Sequence, residues 1–145
     1  MEVERKNEFG GLTELELADF ENANKVVLPK DYREFLLENN GGKPIPNRVR
    51  LPSAILEYLS GMHNGDTYAN LYKQIDVFRS RIPFSTFPIG IDPFGNLFLM
   101  SIHQEIFGYI YFWVHEGEPE VQDGHYTDNC TFVAYNFTEF VDNLF

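Results

Sequence analysis

Up to Pro83 the apolar positions recur with a helical period, and beyond it they recur as strands do. Thr13 to about Asn24 predicts a first, glutamate-rich helix. Leu12, Leu15 and Phe20 line one side, and Thr13 with Glu16 three residues on makes a capping box. Leu28-Pro29 then opens a second helix, which runs toward Gly41-Gly42. Pro29 stands at the first helical position, where its missing N–H costs no bond, and Tyr32, Phe35 and Leu36 fall on one face. Gly41 or Gly42 can take the left-handed stop. Residues 44–66 are rich in Pro, Asn, Gly and Ser; Arg48–Leu51 and Ala54–Leu59 read as short strands, the latter also suiting a helical turn. Leu71, Ile75, Phe78 and Ile82 predict a third helix over Tyr68–Arg81, ended by Pro83.

Past Pro83, Phe87–Ile91 and Leu97–Ile102 flank Asp92-Pro93-Phe94-Gly95-Asn96, a turn in which Pro presets φ and Gly or Asn supplies positive φ. Tyr109–Val114 has no polar member to mark a solvent face, so it predicts a central strand covered on both sides. Cys130–Tyr135 predicts one more strand. Asn136–Phe145 predicts a closing helix, capped by Asn136 with Glu139 at N3 and striped by Phe137, Phe140, Val141 and Leu144. Segregated helices and strands mean an α+β fold: one domain over 1–145, with a flexible lead at about 1–11 and an antiparallel sheet whose core face is covered by helices.

Charge changes this picture. The chain has 145 residues and a formal net charge of −11. Residues 1–81 hold 13 acidic and 11 basic side chains; residues 82–145 hold nine acidic and no basic ones, so the excess belongs to the strand-bearing half. Such a surface repels phosphate backbones and anionic lipid, which disfavours nucleic acid and membranes as partners. The hydrophobic content of 43% supplies a core, and neither an apolar leader nor an 18-residue apolar run is present, so the expectation is a cytoplasmic protein.

No local motif for catalysis emerges: there is no phosphate loop, no nucleophile elbow and no paired histidines at helical spacing. His115, Glu116, Glu118, Glu120, Asp123 and His125 are the nearest approach to a metal site. Pro119, Gly117 and Gly124 mark that stretch as an acidic loop rather than an ordered ligand set, and no metal or cofactor is expected. Cys130, the single cysteine, falls mid-strand in a half without cations, the wrong setting for a thiolate nucleophile, and reads as a small buried or half-buried side chain. The rings, 14 Phe with 8 Tyr and one Trp, read mostly as core. The carboxylates of Glu105, Glu116, Glu118, Glu120, Asp123 and Asp128 fall in connections flanking the strands and could gather at neighbouring edges of one sheet. There they would attract and orient a basic protein, with Tyr109, Tyr126 and Tyr135 as ring anchors, or they could simply confer solubility.

Four motifs in order carry a resemblance. Leu28-Pro29-x-Asp31-Tyr32-x-x-Phe35-Leu36 followed by Asn40-Gly41-Gly42 resembles the opening signature of the Smi/Knr family, the SUKH superfamily. Phe87-Pro88-Ile89-Gly90-x-Asp92-x-x-Gly95-Asn96 and Gly108-Tyr109-Ile110-Tyr111-Phe112-Trp113-x-His115-Glu116 are similar to its central strands, and Phe132-Val133-Ala134 with Phe137-x-Glu139-Phe140 to its last strand and helix. The resemblance runs from about residue 12 to 145 and implies an α+β domain without catalytic residues. Asp92, Gly95, Asn96 and Trp113 match family positions and read as turn and core residues. Bacterial members look like immunity proteins that neutralise toxins by direct binding, many of those toxins carrying nuclease domains. Joined with the charge, this predicts that the acidic loops contact a basic cognate toxin domain, oligomeric state unassigned. The competing expectation, from the fungal relatives, is a non-enzymatic scaffold for endogenous regulatory partners.

Overall fold

The computed structural model describes residues 1–4, 10–63, 69–120, 123–124, 126 and 128–145. Helix α1 (Glu14–Asn24) starts at the predicted capping box. The Thr13 hydroxyl accepts from the Glu16 amide at 3.2 Å, and the Glu16 carboxylate accepts from the Thr13 amide at 2.9 Å. Its buried face is Leu17, Phe20 and Glu21, which corrects the expected stripe: Leu15 is 72% exposed. Two residues apart on a helix is about 200° of rotation, so Leu15 and Leu17 cannot share a face.

Helix α2 (Lys30–Asn39) buries Tyr32, Phe35 and Leu36 as expected. Pro29 is the cap rather than the first helical residue: its backbone is extended, at φ −53° and ψ 141°, while its carbonyl already accepts from the Arg33 amide. The left-handed stop falls on Asn40 (φ 47°), one residue before the glycines. Asparagine tolerates that region better than most side chains. Here buried bonds also hold it, the side chain donating to the Met62 carbonyl at 2.8 Å and accepting from the Met62 amide at 2.7 Å. Glu21 ties the two helices, accepting from the Leu28 amide at 2.7 Å and from Arg33 at 2.8 Å.

Strand β1 (Glu2–Glu4), inside the stretch read as a lead, pairs antiparallel with β2 (Lys43–Ile45). β3 (Arg48–Val49) pairs with β4 (Ala54–Ile55), so the ambiguous stretch after Ala54 is strand rather than helical turn. Helix α3 (Leu71–Phe78) is capped by the Asn70 side chain and ends three residues short of the predicted Arg81, while its predicted start, Tyr68, lies outside the described residues.

The main sheet is an antiparallel ribbon in the order β5 (Tyr58–Leu59), β6 (Thr86–Ile91), β7 (Leu97–Ser101), β8 (Ile110–Trp113) and β9 (Cys130–Ala134), and helix α4 (Phe137–Asp142) follows. Asn136 caps α4 as predicted, but Glu139 reaches the Tyr135 amide at 2.6 Å rather than the cap's own. The middle strand is β7, buried at every residue; β8, expected to be covered on both sides, leaves Tyr111 half-buried. Strand alternation sorts the side chains into two faces. The inner face, with Phe87, Ile89, Phe98, Met100, Ile110 and Phe112, packs on α1, α2 and α4 through ring pairs such as Phe20–Phe87 (5.7 Å) and Phe98–Phe140 (5.3 Å). The outer face carries a smaller cluster of Leu97, Leu99 and Trp113, closed by Ile82. The fold is thus α+β, one domain with a C-terminal helix. Among the described residues no helix is long and apolar enough to cross a membrane.

Candidate functional site

The outer sheet face is crossed by the connection between β8 and β9, and that crossing brings together several of the predicted residues. The β6–β7 turn fixes where the connection leaves. Asp92 accepts from the amides of Phe94 and Asn96 and from the Asn96 side chain, each at 2.8 Å, and Asn96 in turn accepts from the His115 amide at 3.1 Å. The His115 ring lies 3.0 Å from the Phe94 carbonyl, and Gly95 supplies the positive φ of 86° that the turn requires. Asp92, Gly95 and Asn96 are therefore turn residues, and His115 serves the same turn. Trp113 is fully buried. Among the described residues no three His, Cys, Asp or Glu side chains gather as metal ligands; His125, part of the weighed metal set, lies outside them.

From His115 the chain makes one 3-10 turn, and its described residues Glu118, Gly124 and Tyr126 then lie as a strap on the outer face. Arg81 anchors the strap: its Nε and Nη2 donate to the two Glu118 oxygens at 3.0 and 2.6 Å, and its guanidinium lies over Phe78 at 4.8 Å and Trp113 at 5.6 Å. The Arg81 bond holds the Glu118 carboxyl below the usual glutamate range. Farther on, the Phe84 amide donates to the Gly124 carbonyl, and the Tyr126 ring packs on Tyr111 at 4.6 Å. Burial pushes the Tyr126 phenol up to about 12, against the opposing pull of its hydrogen bond with Ser101. At the base, Val114 and Asn129 exchange bonds, the Val114 amide donating to the Asn129 carbonyl at 2.9 Å and the Asn129 side chain to the Val114 carbonyl at 3.0 Å.

This geometry divides the predicted acidic set. Glu116, Glu120, Asp123 and Asp128 are exposed on the strap and its roots, whereas Glu118 is half-buried with its charge matched by Arg81. Glu105 sits exposed in the 3-10 turn Gln104–Ile106 between β7 and β8. That turn is at the Ser101–Ile110–Ala134 end of the sheet, while the strap leaves and returns at the Leu97–Trp113–Cys130 end. Glu105 is thereby set apart from Glu116 and Asp128 at the strap's roots, because a hairpin strand separates its two connections by its own length. Among the strap's described residues Gly124, bonded to Phe84, lies toward Glu105's end.

Tyr109, Tyr126 and Tyr135, predicted as anchors, belong to a chain of five rings on the outer side of β8 and β9. Tyr126 meets Tyr111, Tyr111 meets Phe132 at 5.9 Å, Phe132 meets Tyr135 at 4.8 Å and Tyr109 at 5.8 Å, and Tyr109 meets Tyr135 at 5.2 Å. Tyr135 is 58% exposed, Phe132 40% and Tyr126 36%. Sequence reasoning missed Phe132 and Tyr111 as surface. The signal was Tyr109 and Tyr111 two apart on one strand, opposite a run containing Phe132. It missed Arg81 too, although that residue is the last cation before the acidic half. Cys130 is half-buried and burial pushes its thiol up to about 12, the reverse of what a nucleophile needs.

A family model described as the SMI1 / KNR4 family (SUKH-1) matches residues 11–143. No curated protein and no solved structure matches the chain.

Proposed function

The chain belongs to the SMI1/KNR4 family (SUKH-1), and from that premise we propose that it is an immunity protein: a non-catalytic domain that neutralises a cognate toxin by binding it directly. The observation that carries this reading is the charge of the strand-bearing half, with nine carboxylates and no Lys or Arg after Arg81. Four of those carboxylates, Glu116, Glu120, Asp123 and Asp128, are exposed along the strap and its roots.

A toxin that cleaves nucleic acid must present cations to phosphate. An acidic surface complements such a domain, speeds its capture and orients it. The partner is accordingly a basic protein domain, with a nuclease toxin as the chemistry that best suits the charge. Glu118 contributes little to this contact, because Arg81 already satisfies it.

The test is co-expression in a host cell with a candidate toxin domain encoded in an adjacent reading frame. The reading expects growth to be restored by the wild-type chain. It expects growth to be lost with the triple charge reversal Glu116→Lys, Glu120→Lys and Asp128→Lys, with the purified variant still folded. Full protection by that variant, or no protection by the wild type, sinks it. Recovery of endogenous regulatory proteins in place of a toxin would instead support a scaffold role.

A further inference from the structure

We propose that the ring chain Tyr126–Tyr111–Phe132–Tyr135–Tyr109 on the outer side of β8 and β9 is a docking surface for an arginine-bearing segment of a basic protein. The inference deepens the binding role proposed above and rests on its premise that the partner is a basic protein. Five rings in continuous edge or tilted contact form one aromatic strip, of which three members are more than a third exposed. Rings exposed singly need no explanation, but a connected run on one sheet face does.

The charge around the strip selects the occupant. Glu105 lies beyond its Tyr109 end, Asp123 flanks Tyr126 in the strap, and Asp128 precedes β9. No Lys or Arg follows Arg81 in the chain. Among the described residues the cation–ring contacts go elsewhere, Arg50 over Phe145 and Arg81 over Phe78 and Trp113. Ring faces set among carboxylates attract a guanidinium twice: its plane stacks on the ring, and its fork donates two parallel bonds to a carboxylate. An ammonium shares the charge attraction but offers no planar fork, so the surface favours arginine over lysine. Arg81 makes the same combination inside this fold, lying over Phe78 and Trp113 while it grips Glu118.

The experiment titrates the full chain, labelled for two-dimensional amide NMR, with octaarginine and separately with octalysine. The expected result is shifts concentrated at Tyr111, Phe132 and Tyr135, with octaarginine binding at least about threefold more tightly than octalysine. At exposed sites a cation–ring contact amounts to about two- to fivefold in affinity. Phe132→Ala with Tyr135→Ala should therefore weaken octaarginine about five- to twentyfold while octalysine changes less than twofold. Leu51→Ala, on an exposed side chain of the β3–β4 turn, should change neither. If the double variant loses its native spectrum, Tyr135→Leu, which keeps apolar bulk without a ring face, should still cost about two- to fivefold with octaarginine alone. Equal affinity for the two peptides, shifts confined to other surfaces, or ring variants that bind octaarginine as the wild type does would overturn the proposal. The peptides read the surface without any toxin, so this result and the co-expression result can fail independently.

Discussion

Replacing Arg81 by alanine should loosen the strap and expose Trp113, and the loss can be worked from the contacts. The two-point bond to Glu118 joins side chains that are 38% and 28% exposed, a setting in which an ion pair contributes about 1 kcal/mol. The guanidinium over Phe78 and Trp113 adds about 0.5–1 kcal/mol. Its aliphatic stem, shielding apolar surface, adds about 0.5–1 kcal/mol more. Arg81→Ala should therefore cost about 2–3 kcal/mol. Arg81→Lys, which keeps charge and stem without the planar fork, should cost about half of that. Trp113 is the only tryptophan and is fully buried, so urea unfolding followed by its fluorescence reads both the stability and the local environment. The expected native emission of Arg81→Ala is red-shifted. A double-mutant cycle with Glu118→Gln should give a coupling of about 1 kcal/mol. A loss under about 0.5 kcal/mol with unshifted emission would refute the idea that Arg81 anchors the strap.

Three further outcomes follow from the same contacts. The folded-state pKa of Glu118 is lowered, chiefly by its Arg81 hydrogen bond. Its stabilising contribution is thus present above the unfolded value of about 4.3 and is lost as pH falls through the lower folded value; unfolding between pH 6 and 3 should show a shallower acid loss in Glu118→Gln than in the wild type, and identical slopes would contradict this. A Cβ on Gly61 would run into the Asn40 carbonyl, its carbonyl carbon only 2.8 Å away, so Gly61→Ala should lose about 3 kcal/mol or fail to fold, and a melting temperature within about 2 °C of wild type would refute that close approach. Because the Cys130 thiol sits at about 12, its reaction with a water-soluble disulfide reagent at pH 8 should be at least about tenfold slower in the native state than in urea, and equal rates would show an accessible thiolate.

Elements whose signal is local could be read from the chain itself. The Thr13 box, the Tyr32–Phe35–Leu36 face and the Asp92–Asn96 turn each rest on residues a few positions apart, and each formed as expected, as did the antiparallel order of β6 to β9. Features decided by tertiary contact were less legible. Asn40 rather than Gly41 takes the left-handed stop because Met62, 22 residues on, bonds its side chain. Glu118 looked like one acid among several until the fold brought Arg81 to it from 37 residues away. Charge along the chain located the acidic half but not its arrangement. Two acidic connections leave opposite ends of β8, so Glu105 stands apart from Glu116 and Asp128. Three of the five strip rings were visible, Tyr109, Tyr126 and Tyr135 being identifiable as anchors, while Phe132 and Tyr111 passed for core, because β propensity alone does not say which side of a strand is covered.

The central claim is that a basic toxin domain docks on the outer, acidic face of the sheet. Its most direct measurement is the affinity of the purified chain for a candidate toxin domain encoded in an adjacent reading frame, taken by calorimetry at about 50 and 300 mM salt. Tight binding that weakens at least about tenfold across that range is expected. The triple charge reversal at Glu116, Glu120 and Asp128 should reduce it further. No binding at either salt, or an affinity indifferent to both salt and charge reversal, would contradict it.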